Sequence, residues 1–501
     1  MSAIIFDNVS FSYPCSKKNA LSNINLSVEK GEFLAVMGEN GAGKTTFCKL
    51  INGIIPHLLN GRAEFSGSVI VDGINTKDSS VPDLSRKAGI VLDDPDAQIF
   101  TSSVFREAAF GPENICVPPD EIRQRVESAL SSAGLSGFDE RVPSTLSGGE
   151  KQRLSIAAAL AMKTEILVLD EPLCRLDPKG AEDVMSVLND IKEKQKITVI
   201  MASHNSEMMF KYADRICVLK DGKIAALDTP ENIFANHDLL EQTGIQTLNN
   251  NPNFTVNQYE SSRTKEELLT KNSCCSCGPR SKKPIIEISN FSFNYSNGAS
   301  IENINLSIYE NDFAALIGSN GCGKTTLLKN ITGLLRPSSG EIFISGKDAK
   351  KLSISDISKE IGFVMQTSDN QLFTDSVYNE VAFALKNARL PKNEIKKRVN
   401  ESLDTVGIKD GEAFPHALSR SDRTRVVAAC VLAMGCKTLI FDEADVGNDY
   451  KGNINIMNFM QELNKKGFTI IFVTHNMSLA FKFAHRLIKM ERKGIAADER
   501  K

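Results

Sequence analysis

Short uninterrupted apolar runs recur along the chain. Phe33–Met37, Ile166–Leu169 and Thr198–Met201 are each separated from the next by segments of helical pattern. Buried strands alternating with helices predict α/β domains with a largely parallel sheet. The longest apolar stretches, Ile166–Leu169 and Leu154–Met162, fall well short of the roughly 20 residues that span a bilayer. Met1–Ser10 reads as a strand, not as the charged-then-apolar build of a signal peptide. A soluble, cytosolic chain is expected, with any membrane role peripheral.

The pattern occurs twice. Ile4–Tyr13 matches Ile286–Tyr295, and Asn23-Ile24-Asn25-Leu26-Ser27 recurs as Asn303-Ile304-Asn305-Leu306-Ser307. Lys44 and Lys324 lie 280 residues apart, Asp170 and Asp442 lie 272 apart, and His204 and His475 lie 271 apart. So small a drift means duplicated domains with a few loop deletions. The expected organisation is one domain over residues 1–246, a polar flexible linker over 247–284 and a second domain over 285–501. The linker contains Cys274-Cys275-Ser276-Cys277, which could contribute zinc ligands but lacks a fourth ligand and paired C-x-x-C spacing. The first half continues through Asp221-Gly222-Lys223-Ile224 to about Gln246, whereas only a short charged tail is expected after His485-Arg486.

Composition narrows the function classes. A chain of 501 residues suits two or three domains, and its 41% hydrophobic and 24% charged content is that of an ordinary globular protein. A net charge of −3 supplies no basic field for nucleic acid, so no nucleic-acid partner is expected. Eleven scattered cysteines suit a reducing compartment better than a disulfide framework.

The candidate chemistry is phosphate chemistry. Gly38-Glu39-Asn40-Gly41-Ala42-Gly43-Lys44-Thr45, followed by Thr46, fits the phosphate-loop pattern, as does Gly318-Ser319-Asn320-Gly321-Cys322-Gly323-Lys324-Thr325, followed by Thr326. Backbone N–H groups in such a loop cradle phosphates at a helix N-terminus; Lys44 and Lys324 would reach the β/γ-phosphates, and Thr45 and Thr325 would ligate Mg²⁺. Ile166–Leu169 and Leu439-Ile440-Phe441 run into the carboxylate pairs Asp170-Glu171 and Asp442-Glu443. The first of each pair suits Mg²⁺, and the second suits orienting or deprotonating an attacking water. His204 and His475 each follow a β-branched strand and are expected to contact the γ-phosphate. Ser147-Gly148-Gly149 opens an alanine-rich helix. By physics alone that segment is equally an anion site or, with Glu150, a capping box.

Leu146-Ser147-Gly148-Gly149-Glu150-Lys151-Gln152-Arg153, standing between a phosphate loop and an ILVLDEP strand, resembles the ATP-binding cassette (ABC) family across both halves. The resemblance implies two tandem P-loop NTPase domains of α/β class that bind ATP and Mg²⁺ and hydrolyse ATP. It also implies head-to-tail pairing, in which one half's phosphate loop and the other half's signature hold each ATP. Tyr13 and Tyr295 occupy the place of the adenine-stacking aromatic, and Gln366 that of the glutamine beside Mg²⁺ and phosphate. Leu176-Asp177 falls at the D-loop, where the second copy reads Asn448-Asp449.

Val91-Leu92-Asp93-Asp94-Pro95-Asp96-Ala97-Gln98, followed by Phe110-Gly111-Pro112-Glu113-Asn114, is similar to the ATPases of energy-coupling-factor (ECF) importers of vitamins or transition-metal ions. That similarity implies peripheral attachment at the cytoplasmic face of the cell membrane. Its partners would be a multi-spanning transport subunit, docked near Asp93–Phe105 and Gln366–Tyr378, and a separate substrate-binding membrane subunit. The alternative is a soluble tandem-ABC translation factor, faintly suggested by Arg423-Thr424-Arg425-Val426, although the linker is short and the chain mildly acidic.

The second copy departs from the pattern at its signature, Leu418-Ser419-Arg420-Ser421, where side chains stand in place of two glycines. The first departs at Asp93, where glutamine is expected. Under head-to-tail pairing both defects fall in one site. The other site keeps Lys324, Thr325, Gln366, Asp442, Glu443 and His475 with Ser147-Gly148-Gly149, and is expected to be the faster.

Overall fold

In the computed structural model the chain divides near residue 250 into two compact units. The structure describes residues 2–14, 16, 18–57, 64–248, 284–295, 300–491 and 494–500. The cysteine cluster at 274–277 and most of the expected linker lie outside the described residues.

In the first unit a six-stranded sheet runs in the order Ala88–Val91, Ile166–Asp170, Thr198–Ala202, Phe33–Met37, Arg215–Lys220, Lys223–Asp228. The first five strands are parallel and the last returns antiparallel. Asp221 and Gly222 make that return at φ 47° and 74°, as a tight two-residue hairpin requires. A four-stranded antiparallel sheet, ordered Leu21–Glu29, Ser2–Ser12, Glu64–Val71, Ile74–Asn75, accompanies it.

The apolar runs are continuous because the parallel strands are covered on both faces. Phe33, Ala35 and Met37 point into a core shared with the helices, while Leu34 and Val36 point into a second core shared with the antiparallel sheet. Leu167 and Leu169 against Ile166 and Val168 repeat that division. Every residue of Phe33–Met37, Ile166–Asp170 and Thr198–Ala202 is buried.

The second unit has the same strand order: Ile361–Val364, Thr438–Asp442, Thr469–Val473, Phe313–Ile317, Arg486–Glu491, Gly494–Arg500. Its last two strands correct the expectation of a charged tail after His485-Arg486. Arg486–Glu491 pairs in parallel with Phe313–Ile317 and antiparallel with Gly494–Arg500. Leu487, Ile488 and Met490 are buried. Buried Arg486 is satisfied by Asp312 at 2.7 Å and by Asp498, with Nε 2.7 Å from Oδ1. So many charges resemble a solvated tail; pairing to the sheet turns Glu491, Asp498, Glu499 and Arg500 outward and buries Arg486 among its partners.

In both units three neighbouring parallel strands deliver their carboxyl ends to one edge. Those ends lead into the phosphate loop, the acidic pair and the histidine, as open α/β sheets assemble sites. Among the described residues no helix is long and apolar enough to cross a membrane.

Candidate functional site

The phosphate loops are shaped by close backbone approach. A Cβ on Gly38 (φ 146°) would stand 2.2 Å from the Leu219 carbonyl oxygen, and one on Gly318 (φ 155°) 2.4 Å from that of Met490. Gly43 and Gly323, both near φ 105°, are the N-caps of helices Lys44–Ile51 and Lys324–Ile331. Neither can supply a capping side chain, so the first N–H groups of each helix remain directed at the loop. Ala42 N donates to the Glu39 carbonyl at 3.1 Å and Cys322 N to that of Ser319 at 3.3 Å, closing both loops alike. Each lysine folds across its loop. Lys44 Nζ is 3.1 Å from Gly38 O and 3.3 Å from Glu39 O, and Lys324 Nζ is 2.9 Å from Gly318 O and 3.1 Å from Ser319 O.

The first unit gathers Lys44, Thr45, Asp170, Glu171, His204 and Asn40. Lys44 Nζ lies 3.1 Å from His204 Nε2 and 3.8 Å from Glu171 Oε1, and His204 Nε2 lies 3.3 Å from Glu171 Oε1 and 3.0 Å from Asn40 Oδ1. Burial, aided by the Lys44 charge, pushes His204 down to about 3. The ring is therefore neutral near pH 7, and its contact with Glu171 is not an ion pair. Burial lowers the Lys44 ammonium, opposed by Glu171 and Asp170. Burial also carries Asp170 up to about 6 against its Thr45 hydrogen bond, with the Glu171 and Asp93 charges adding to the rise. Glu171 is raised by burial, with Lys44 opposing and Asp93 adding.

The second unit gathers the corresponding groups differently. Gln366 Nε2 donates to Glu443 Oε2 at 2.6 Å, and His475 Nε2 lies 2.7 Å from Glu443 Oε1. Thr325 Oγ1 donates to Asp442 Oδ1 at 3.4 Å, and burial, followed by the Glu443 charge, carries Asp442 up to about 6. Glu171 and Glu443 have φ of 50° and 51°, left-handed values uncommon for a residue with a side chain. Matched strain at the residue after each strand marks the position that aims the carboxylate.

Tyr13 and Tyr295 are partly exposed beside the loops, with hydroxyls 3.1 Å from Thr46 Oγ1 and 3.3 Å from Thr326 Oγ1. The signature serines are N-caps. Glu150 N donates to Ser147 Oγ at 3.3 Å while Glu150 Oε2 accepts from Ser147 N at 2.7 Å, completing the capping box. Among the described residues Ser147, Gly148 and Gly149 share no hydrogen bond with the Lys44 cluster. A Cβ on Gly148 or Gly149 would find nothing nearer than Leu176, at 3.9 Å, so the glycines leave an open surface. In the second copy Arg420 does not simply project outward. Its guanidinium lies so close to Gly447 that a Cβ there would be 2.1 Å from Nη1.

Three features escaped the sequence reading. Gln98 and Gln371 each fold back on the preceding strand: Leu92 N donates to Gln98 Oε1 at 3.1 Å, and Met365 N to Gln371 Oε1 at 2.8 Å. Ion pairs tie the signature helix to that same segment, Lys151 with Asp96 at 2.6 Å and Arg423 with Asp369. Partly buried Asp445, two residues beyond Glu443, bonds to Thr474. The first two were detectable as parallel placements in the repeat; the third has no counterpart in the first half.

With phosphate loop, acidic strand end, histidine and signature placed in each unit, comparison with known proteins is decisive. The family model described as ABC transporter matches residues 21–174 and 301–446. The chain belongs to the ABC transporter family. A protein of Caldanaerobacter subterraneus subsp. tengcongensis, named as an ABC transporter ATP-binding protein, is 37% identical over 97% of this chain and 89% of its own length. One of Methanosarcina mazei, similarly named, is 35% identical over 98% of this chain and 88% of its own. The solved structure of cbiO1 from Clostridium perfringens, described as part of the ABC transporter complex cbiONQ, is 32% identical. It covers 49% of this chain and 95% of its own, with a TM-score of 0.43. This ABC protein thus carries two ATP-binding cassettes and is an ATPase.

Proposed function

We propose that this ABC protein is the energy-coupling subunit of an ECF-type membrane importer, with one fast and one slow ATP site. The observation that carries the unequal sites is the Gln366–Glu443–His475 arrangement of the second unit, which the first unit, with Asp93, does not reproduce. In the fast site Lys324 and the loop N–H groups hold the β/γ-phosphates, and Tyr295 stacks on adenine. Ser147-Gly148-Gly149 faces the γ-phosphate in the head-to-tail arrangement that the resemblance implies. Glu443, steadied by Gln366 and His475, orients a water and accepts its proton as the water oxygen bonds to the γ-phosphorus. The bond to the bridging oxygen breaks, leaving ADP and inorganic phosphate. The slow site, built on Lys44, Thr45, Asp170, Glu171 and His204, serves mainly to bind ATP.

The residues suit Mg²⁺. Thr45 with Asp170 and Thr325 with Asp442 offer only hard oxygen donors, and Asp170 Oδ1 is buried without a hydrogen-bond partner. When bound, Mg²⁺ would neutralise phosphate charge.

Importer coupling rests on the ECF-like motifs and on a duplicated surface feature that begins in each expected docking segment, at Phe100 and Phe373, and is completed on the helix that follows. Phe100 and Phe110 form an exposed edge-to-face pair at 4.8 Å, and Phe373 and Phe383 form its counterpart, also at 4.8 Å. Each pair is braced by a buried carboxylate. Glu107 accepts from the backbone of Phe100 and Thr101, and Glu380 from that of Phe373 and Thr374. A rigidly held, exposed aromatic pair suits an apolar protein segment. Tagged chain purified from gently solubilised membranes should bring down a multi-spanning subunit and a second membrane protein, both lost on Phe100→Ser with Phe373→Ser. Recovery of ribosomal proteins instead would replace the importer with the translation-factor reading.

A further inference from the structure

We propose that Asp445 is a positioning residue for hydrolysis, holding His475 against Glu443 by way of Thr474. The inference rests on the reading of the second unit's site as the fast one. Asp445 Oδ2 is 2.5 Å from Thr474 Oγ1, so one hydrogen bond joins the residue two after Glu443 to the residue just before His475. The same Thr474 oxygen accepts from Asn476 N at 2.9 Å, and Asn476 Oδ1 caps helix Met477–Phe483 through Leu479 N at 3.1 Å. Both sides of the Glu443–His475 contact are therefore tethered: the turn leaving the acidic strand and the turn leaving the histidine strand. Burial carries Asp445 up to about 6, with the Thr474 bond opposing. An acid partly withdrawn from water is costly unless it is bonded, and Thr474 supplies that bond.

The first unit provides the contrast. Leu173 stands at the position of Asp445, and Ser203, at the position of Thr474, accepts from Asn205 N at 3.1 Å but has no acid to meet. There the histidine nitrogen sits 3.3 Å from its glutamate, against 2.7 Å in the second unit. The cross-link and the short contact occur together. This difference belongs to the chain's own duplication, not to the elements both halves share.

The test uses the full chain with Mg²⁺-ATP, in a Glu171→Gln background so that turnover reports the Glu443 site. Asp445→Leu, which installs the first unit's residue, should lower kcat about tenfold with KM within twofold, the loss expected from a misplaced catalytic pair. Asp445→Asn, whose amide oxygen can still accept from Thr474, should stay within twofold of its parent. Thr474→Val should match Asp445→Leu, and combining the two should add nothing further. An independent readout does not depend on which site is fast. In protein labelled with ¹⁵N-histidine, Asp445→Leu should move the ring resonances of His475, identified by their loss in His475→Ala, and Asp445→Asn should leave them in place. Unmoved His475 resonances, or an additive double variant, would overturn the positioning role. A collapse of turnover in the Glu171→Gln background alone would instead count against the unequal-site reading, while the resonances would still decide the role of Asp445.

Discussion

The two glutamates, Glu171 and Glu443, share a backbone and differ in company. Both follow a buried strand at nearly the same left-handed φ. Glu443 is held on one oxygen by Gln366 and on the other by His475. Glu171 has a neutral histidine at 3.3 Å and a lysine at 3.8 Å, and it shares its surroundings with Asp93, whose charge raises both Asp170 and Glu171. The sheet edge that assembles a nucleotide site survives substitution because the hydrophobic runs beneath it maintain it. The chemistry does not, because it depends on three or four side chains above that edge.

The largest expected difference is catalytic. Glu443→Gln should cut phosphate release about 100-fold or more, the range for loss of a general base, whereas Glu171→Gln should cost less than about threefold. Equal losses would remove the asymmetry. Next comes exchange of the neighbouring residue. Gln366→Asp, which imports the first unit's charge, should lower turnover about tenfold, and Asp93→Gln should alter turnover little while tightening ATP binding severalfold at the Lys44 site. Nucleotide titration of Asp93→Gln in a Lys324→Ala background isolates that site.

The smallest effect concerns what the halves share. Asp170 and Asp442 both sit near 6 in the nucleotide-free protein, above the ordinary aspartate value of 3.8. The folded state therefore binds the proton more tightly than the unfolded chain. The associated stability is full below about pH 4 and is lost as pH rises through about 6. Each site should contribute on the order of 1–3 kcal/mol to that slope. Thermal melts of metal- and nucleotide-free protein between pH 4.5 and 7.5, buffers chosen to give roughly these end points, should show the slope. Asp170→Asn with Asp442→Asn should flatten it, and an unchanged slope would place the titration elsewhere.

Much of this was legible in one dimension. Continuous apolar runs such as Phe33–Met37 declare strands covered on both faces, since no half-exposed strand tolerates five apolar positions in a row. The phosphate loops are legible because glycine is required wherever backbone must pass within reach of another carbonyl, as Gly38 does at Leu219. Repetition of these signals in register made each copy evidence for the other. The charged hairpin at Arg486–Arg500 was not legible, because its apolar positions are sparse and become inward-facing only through pairing with Phe313–Ile317.

By itself, then, the sequence determined the class of fold, the duplication and which residue types handle phosphate, since these rest on local periodicity and on glycines no other residue can replace. Tertiary structure alone decided how those residues meet. Gln366 reaches Glu443 across 77 positions of chain. Arg420 turns onto Gly447 instead of simply standing where a glycine was missing. Asp445 finds Thr474 across 29 positions. Contacts between residues so far apart depend on strand order and the aim of each strand end, and neither is encoded in the spacing of residues along a chain.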